Sequence, residues 1–279
     1  MMARALAAQQ SARRGTFRNG MDYLCWGSGP KTLLFIQGGP GSAVPQGMMR
    51  RMFRRQFQPY LNAGYSVWIV TRRRNMPPGH TITDMAGDYA HVISEEFGGH
   101  VDVVVAESFG GMIAQYLAAL YPDAFGRIVV VIAAAELSDW GKDVDARMAG
   151  ALVSGDAGRA GTVFAEYLFP GTRLRWLRRL LGPLIGGRLL AGSDYPPDDV
   201  QTEVRAELSF NSRDVLPRIR PPVLLICGDH DKFFPKDVAA ETAGLIPDCT
   251  LIWYEGQGHL RVAASSRVAR DVLAFVNGS

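Results

Sequence analysis

Cysteine is scarce. The chain holds three, Cys25, Cys227 and Cys249, an odd number with no pair at CxxC spacing. That argues against a disulfide framework and against a thiolate zinc site. A reducing, cytoplasmic compartment is the simpler setting. Long apolar runs are also lacking. The longest uncharged stretches are broken by Pro, Gly or Asn, so no membrane-spanning helix is expected. Charge of one sign is lacking too: 30 Lys and Arg stand against 27 Asp and Glu, a formal net charge of +3. No basic, aromatic-laced segment of a nucleic-acid module occurs, and nucleic acid is not expected as a partner. Repeats and low-complexity blocks are absent. With 47% hydrophobic and 20% charged residues the chain is not a disordered one. Its 279 residues suit one large domain or a domain carrying an insertion. Such a length buries roughly three quarters of the unfolded surface, so no metal or disulfide staple is required. The first fifteen residues carry Arg4, Arg13 and Arg14 and no acid. This is a faint likeness to a transit peptide, but it lacks a secretory apolar run, and a frayed tail is the reading adopted.

What is present is an alternation. Short β-branched runs recur at Thr32 to Ile36, Ser66 to Thr71, Val101 to Val105, Ile128 to Ile132, Val223 to Cys227 and Thr250 to Tyr254. Nearly continuous apolar runs of this length mark strands buried on both faces. Helical spacing occupies the intervals, as in Met112 to Tyr121, Val238 to Leu245 and Arg261 to Val276. Strands alternating with helices predict an α/β fold: a mostly parallel central sheet with helices on both faces. Between about residues 136 and 220 no buried strand is evident. That stretch is assigned to a helical cap, leaving 1–135 and 221–279 as the core. Within it, Arg173 to Leu181 places Leu174, Leu177 and Leu181 on one helix face among arginines. A membrane-surface helix has this look, but Gly182 and Pro183 cut it short, and leucines packed inward with solvated arginines are the reading preferred.

Four segments carry chemistry. The strand at Val101 to Val105 runs into Ala106-Glu107-Ser108-Phe109-Gly110-Gly111, a small-x-Ser-x-Gly turn before a helix. Such an elbow exposes a strained serine beside helix amides; the plainer alternative is a serine N-cap. The strand at Thr32 to Ile36 leads into Gln37-Gly38-Gly39-Pro40-Gly41, whose glycines allow amides to turn toward an oxyanion, or make an ordinary turn. After the Val223 strand stands Gly228-Asp229-His230-Asp231-Lys232-Phe233-Phe234-Pro235, and after the last strand Gly256-Gln257-Gly258-His259. Each alone is a solvated turn acid or a capping histidine. Together they run serine, acid, histidine at successive strand ends, where open α/β sheets collect their catalytic groups.

On these residues the chain resembles the α/β-hydrolase family. Gln37 to Gly41 is similar to the family's His-Gly-Gly-Pro-Gly oxyanion stretch, Ala106 to Gly110 to its nucleophile elbow, Gly228 through Asp231 to Pro235 to its acid turn, and Gly258-His259 to its histidine loop. The likeness implies Ser108 as nucleophile, His259 as base, Asp231 as its orienting acid in preference to Asp229, and the amides of Gly39 and Phe109 as oxyanion hole. Gln37, Gly38, Trp140 and Trp176 are candidate substrate-binding residues. Met48, Met49, Met52 and Phe53 are further pocket candidates, though such residues are more often core. Two departures stand out. Gln37 replaces the family's histidine, and Thr71-Arg72-Arg73-Arg74-Asn75 stands where the family usually shows Asp-x-Arg-Gly. The arginine run is taken as a solvated loop, with a cation near the pocket as the alternative. His80, His91, His100 and His230 are read as non-catalytic, His230 being the nearest candidate.

The expected activity is hydrolysis of a small carboxylic ester, thioester or lactone, needing no cofactor or metal. The expected partner is a small-molecule acyl substrate; a homodimer is compatible with the sequence, which leaves the oligomeric state open. Three rivals remain: a proline iminopeptidase-like peptidase using Glu136, Glu166, Glu203 or Glu207, carbon–carbon cleavage of a diketone, and a non-catalytic ligand receptor.

Overall fold

A computed structural model describes residues 12–39, 41–168, 175–185 and 195–278. Arg4, Pro40, Arg173 and Leu174 of the readings above lie outside these residues. Eight strands form one sheet: β1 (Arg13–Thr16), β2 (Met21–Trp26), β3 (Lys31–Ile36), β4 (Tyr65–Arg73), β5 (Val101–Glu107), β6 (Phe125–Val131), β7 (Val223–Gly228) and β8 (Cys249–Tyr254), in the order β1-β2-β4-β3-β5-β6-β7-β8. From β4 to β8 all pairings are parallel; β1 with β2 and β2 with β4 are antiparallel. The fold is therefore α/β with a mostly parallel sheet.

The six apolar runs became strands because both faces of each are covered. Along β3, Leu34 and Ile36 enter one core while Leu33 and Phe35 enter the other; along β5, Val104 and Ala106 part in the same way from Val103 and Val105. Period-two alternation between two dry faces leaves few polar positions, such as the exposed Asp102 near the start of β5, hence the nearly continuous apolar runs. Each buried Val or Leu contributes about 1.5–3 kcal/mol.

The described helices are α1 (Gly47–Gln56), α2 (Gln58–Asn62), α3 (Ile82–Glu96), α4 (Phe109–Leu120), α5 (Asp139–Val153), α6 (Ala157–Leu168), α7 (Arg175–Ile185), α8 (Pro197–Leu208), α9 (Lys236–Leu245), α10 (His259–Ala263) and α11 (Arg267–Asn277). Helices α5 to α8 fall between β6 and β7. Among the described residues no helix is long and apolar enough to cross a membrane.

Three expectations change. Arg13 and Arg14 belong to β1, pairing with Cys25 and Leu24, so the frayed reading of the first fifteen residues does not extend to them. The last helix is two, α10 and α11, with Ser265 and Ser266 between them. In α7, Leu177 and Leu181 are half-buried as expected, but Arg178 is buried and pairs with Glu166, whereas Trp176, Leu180 and Leu184 are exposed.

Candidate active site

The strand ends set the site. Ser108 follows β5 at φ 50°, ψ −118°, a backbone region that costs a non-glycine residue about 1–3 kcal/mol. It is the N-cap position of α4, yet its side chain makes no capping bond. The hydroxyl instead meets His259 Nε2 at 2.9 Å. The turn is tight because β3 lies close: a Cβ on Gly110 would sit 2.3 Å from the Ile36 carbonyl oxygen, and one on Gly111 2.6 Å from the Ala133 Cβ. Small residues at these positions are a packing requirement.

Asp231 lies three residues beyond β7. Its Oδ1 accepts from the amides of Phe233 (2.8 Å) and Phe234 (3.3 Å), which leaves Oδ2 facing His259 Nδ1 at 2.7 Å. The turn thus aims the carboxylate instead of merely hydrating it, and at 6% exposure little water reaches it. His259 opens α10 and is 8% exposed. Phe233 lies 4.6 Å and Phe234 6.0 Å from its ring. Serine, imidazole and carboxylate so form one unbroken hydrogen-bonded line. Asp229 has no part in it; its Oδ1 is buried without a partner.

The loop after β3 lies against the elbow. A Cβ on Gly38 would be 2.9 Å from Ser108 Cβ, and Gly39 has φ +72°. The amide of Phe109 starts α4 beside Ser108, where helix N–H groups carry partial positive charge. Gln37 donates from its side chain to the Ala43 carbonyl at 3.2 Å, a contact within its own loop. Trp140 is half-buried and packs edge-on to Phe233 at 5.0 Å, next to the imidazole.

Several candidates lie elsewhere. Trp176 is 66% exposed on α7, because Leu177, Arg178 and Leu181 occupy the inward face; it is not placed to line a pocket. Met48, Met49 and Met52 are exposed on α1, while Phe53 packs against Phe35 and Phe57. His230 is exposed. His80 meets Asp88 at 2.8 Å, and His100 Nδ1 lies 3.2 Å from the Asp123 carbonyl.

The arginine run is not a solvated loop. Arg72 is buried at the end of β4, and Arg73 and Arg74 bond Asp88 and Asp22. The partner of Arg72 is Glu203 on α8, at 2.5 Å. Burial works against the Arg72 charge, but Glu203, with Tyr195 and Tyr89, more than offsets it and holds the guanidinium above its ordinary range. Glu203 and Glu207, named above only as candidate acids of the peptidase reading, share with Asp199 an acidic face of α8 that the sequence reading did not recognise. Asp199 accepts from the amides of Asn75 and Met76, and Glu207 faces Asp145. All three acids are buried. Their spacing of four residues was the available signal, since it puts them on one helix face beside the buried Val200 and Val204.

Asp145 and Glu207 are hydrogen-bonded to each other, and Tyr167 donates to Asp145. Burial pushes both carboxyls upward, Glu207 strongly; Asp145 raises Glu207 further, whereas the hydrogen bonds from Tyr167 and Glu207 and the nearby His259 pull Asp145 back down. Glu207 Oε2 is buried without a partner. Tyr167 in turn packs on Phe233 at 4.8 Å, so this acid pair sits near the imidazole. Glu107, before the serine, is also pushed up by burial, to about 7, against the opposing pull of His259 and of its Gln56 hydrogen bond. Among the described residues no group of three or more His, Cys, Asp and Glu is arranged to hold a metal ion.

Comparison with known proteins agrees with this architecture. "Putative carbamate hydrolase RutD" of Caulobacter sp. (strain K31) is 27% identical over 216 residues, 74% of this chain and 76% of that protein. MGS-M2, an alpha/beta hydrolase enzyme from a Medee basin deep-sea metagenome library, superposes with a TM-score of 0.72 at 17% identity, over 96% of this chain and 98% of that one. The enol-lactonase from Burkholderia xenovorans LB400 gives 0.71 at 16% identity, over 95% and 100%. These two structures share the fold. The family model described as "Alpha/beta hydrolase family" matches residues 33–271. The chain belongs to the alpha/beta hydrolase family and is a hydrolase.

Proposed function

We propose that the protein is a serine hydrolase that cleaves a small carboxylic ester, thioester or lactone through an acyl-enzyme. The observation that carries this is the continuous line from Ser108 Oγ through the His259 ring to Asp231 Oδ2. His259 takes the Ser108 proton as the hydroxyl oxygen attacks the substrate carbonyl. Asp231 holds the tautomer with its proton on Nδ1 and stabilises the imidazolium. The amides of Gly39 and Phe109 stabilise the tetrahedral oxyanion, each donor contributing about 3–4 kcal/mol. The imidazolium returns its proton to the leaving group, and water attacking the acyl-enzyme by the reverse route frees the acid. Residues 136–220 act as a cap over a core of 1–135 and 221–279, with Trp140 and Phe233 forming an apolar wall beside the imidazole. The likeness to a putative carbamate hydrolase in sequence, and to an enol-lactonase in fold, supports attack on a carbonyl bearing a heteroatom leaving group.

A second reading, an aminopeptidase, draws on the acid pair. Glu136 is engaged by Lys142 and Arg213, Glu166 by Arg147 and Arg178, and Glu203 by Arg72. Glu207 with Asp145 is left as the site for a substrate ammonium, which would satisfy the open Glu207 Oε2. A panel of acyl p-nitrophenyl esters, lactones, β-diketones and aminoacyl naphthylamides, with Ser108→Ala as control, separates the readings. Ester or lactone turnover lost in Ser108→Ala supports the first. Turnover confined to naphthylamides or diketones overturns it.

A further inference from the structure

We propose that Arg72 is a positioning residue for the oxyanion loop, and that Glu203 on α8 sets Arg72 in place. Helices between β6 and β7 thereby help to assemble the oxyanion hole. The proposal rests on the serine-hydrolase reading above and concerns the same site.

Arg72 Nη1 donates to the Gln37 carbonyl at 2.9 Å, and Nη2 donates to the Gly39 carbonyl at 2.6 Å. The first bond fixes the peptide plane between residues 37 and 38. The second fixes the plane that follows Gly39. The peptide between them carries the Gly39 N–H, and its orientation is bracketed on both sides. With both neighbouring carbonyls drawn to the guanidinium, the intervening plane has little freedom to turn its N–H away from the elbow. The same guanidinium lies over the Phe109 ring, 4.4 Å from its centroid. One buried cation therefore touches both residues proposed as oxyanion donors.

Glu203 completes the fork. Its Oε1 takes Arg72 Nε at 2.5 Å and the Tyr195 hydroxyl at 2.6 Å; its Oε2 takes Arg72 Nη2 at 3.2 Å and the Gly41 amide at 2.5 Å. The carboxylate so anchors the far end of the loop as well as the cation. Planar, bidentate pairing of this kind is specific to Arg and is not reproduced by Lys. The two places where the sequence departs from the family's usual pattern, Gln37 and the arginine run, meet at this contact. A further residue of the same helix acts in parallel, since Asp199 holds the amides of Asn75 and Met76 just beyond Arg72.

An ion pair that only stabilises the fold would lower thermal stability and leave the folded enzyme's chemistry intact. A positioning pair lowers kcat per active site while KM stays put. The test uses Arg72→Lys and Glu203→Gln in the full chain, with sites counted by fluorophosphonate labelling. The readouts are kcat and KM for an activated acyl ester, the affinity of an aryl boronic acid that forms a tetrahedral adduct on serine, and the crystal structure of Arg72→Lys. The expectation is a fall in kcat of about tenfold to a hundredfold with KM held within about threefold, a parallel weakening of the boronate, and a turned Gly38–Gly39 peptide. Unchanged kcat per labelled site, with only melting temperature lowered, overturns the proposal. Failure of the wild-type protein to take the label overturns the hydrolase reading instead. In that event the Gly38–Gly39 peptide decides the matter: an orientation unchanged in Arg72→Lys refutes the role given to Arg72, and a turned one upholds it.

Discussion

Gly110→Ala asks whether the elbow and the oxyanion loop are held apart by a single missing methyl. The added Cβ would stand 2.3 Å from the Ile36 carbonyl oxygen and 2.8 Å from that of Gln37, where real Cβ atoms essentially never come within 3.0 Å. Both obstacles are backbone, so no side chain can rotate away. The first turn of α4 and the end of β3 must part by at least about 0.7 Å, an overpacking cost of about 1–3 kcal/mol. The end of β3 leads to Gly39 and the first turn of α4 holds Phe109, so the same parting separates the two proposed oxyanion donors. A misplacement near 1 Å lowers turnover by about a hundredfold, and the expected loss in kcat is about tenfold to a hundredfold. Gly150→Ala is the matched control. It lies exposed within α5 with nothing within 4 Å of its added Cβ, and it should gain about 0.5–1 kcal/mol from helix propensity with unchanged kcat. Urea unfolding gives stability, and ester turnover normalised to labelled sites gives kcat. A Gly110→Ala protein with wild-type midpoint and wild-type kcat would refute the reasoning.

Two other substitutions follow from the same geometry. In Asp231→Asn the amide oxygen stays with the Phe233 and Phe234 N–H groups, so the NH2 group faces His259 Nδ1. The ring then carries its proton on Nε2 and cannot accept from Ser108; kcat should fall about 10⁴-fold, and a fall below tenfold in steady-state assays would count against the assignment of Asp231. Glu107 holds its proton up to about pH 7, above its ordinary value of 4.5. The native state therefore binds the extra proton between those two values, and this carboxyl's contribution to stability is full below about 4.5 and lost as pH rises through about 7. Glu107→Gln removes that loss. It should match wild type at pH 4.5 and exceed it by on the order of 2 kcal/mol at pH 8, allowing for the partial exposure of the carboxyl. Urea midpoints that keep the same difference at both pH values would contradict the burial of Glu107 as described.

The strands from β3 to β7 are legible because a doubly covered strand has few polar positions to blur it, and β8, though an edge, because its Leu251, Ile252, Trp253 and Tyr254 pack toward both cores. β1 and β2 are not. Arg13-Arg14-Gly15-Thr16 is a short, largely exposed edge, and Asp22 interrupts the apolar pattern of Met21–Trp26. β1 has one neighbour and faces solvent, so its sequence carries half the signal, whereas β2 lies between β1 and β4 and is blurred by its own polar Asp22. Ser108, Asp231 and His259 were legible for a different reason. Each must leave a strand end through small or turn-forming residues, and those neighbours mark the positions. Arg72 carries no such mark. An arginine in a run of three reads as hydrated until its partner is known, and Glu203 is 131 residues away in the chain. Trp176 misled in the opposite direction: a large apolar residue suggests a pocket, but which face of α7 turns inward was set by the burial of Arg178 against Glu166.

The most direct measurement is covalent labelling of the intact protein with a fluorophosphonate probe, followed by peptide mapping. The account predicts one adduct per chain on Ser108, formed at a rate that falls at least a hundredfold in His259→Ala and abolished in Ser108→Ala. An adduct on another residue, or a Ser108 adduct formed as fast without the imidazole of residue 259, would contradict it.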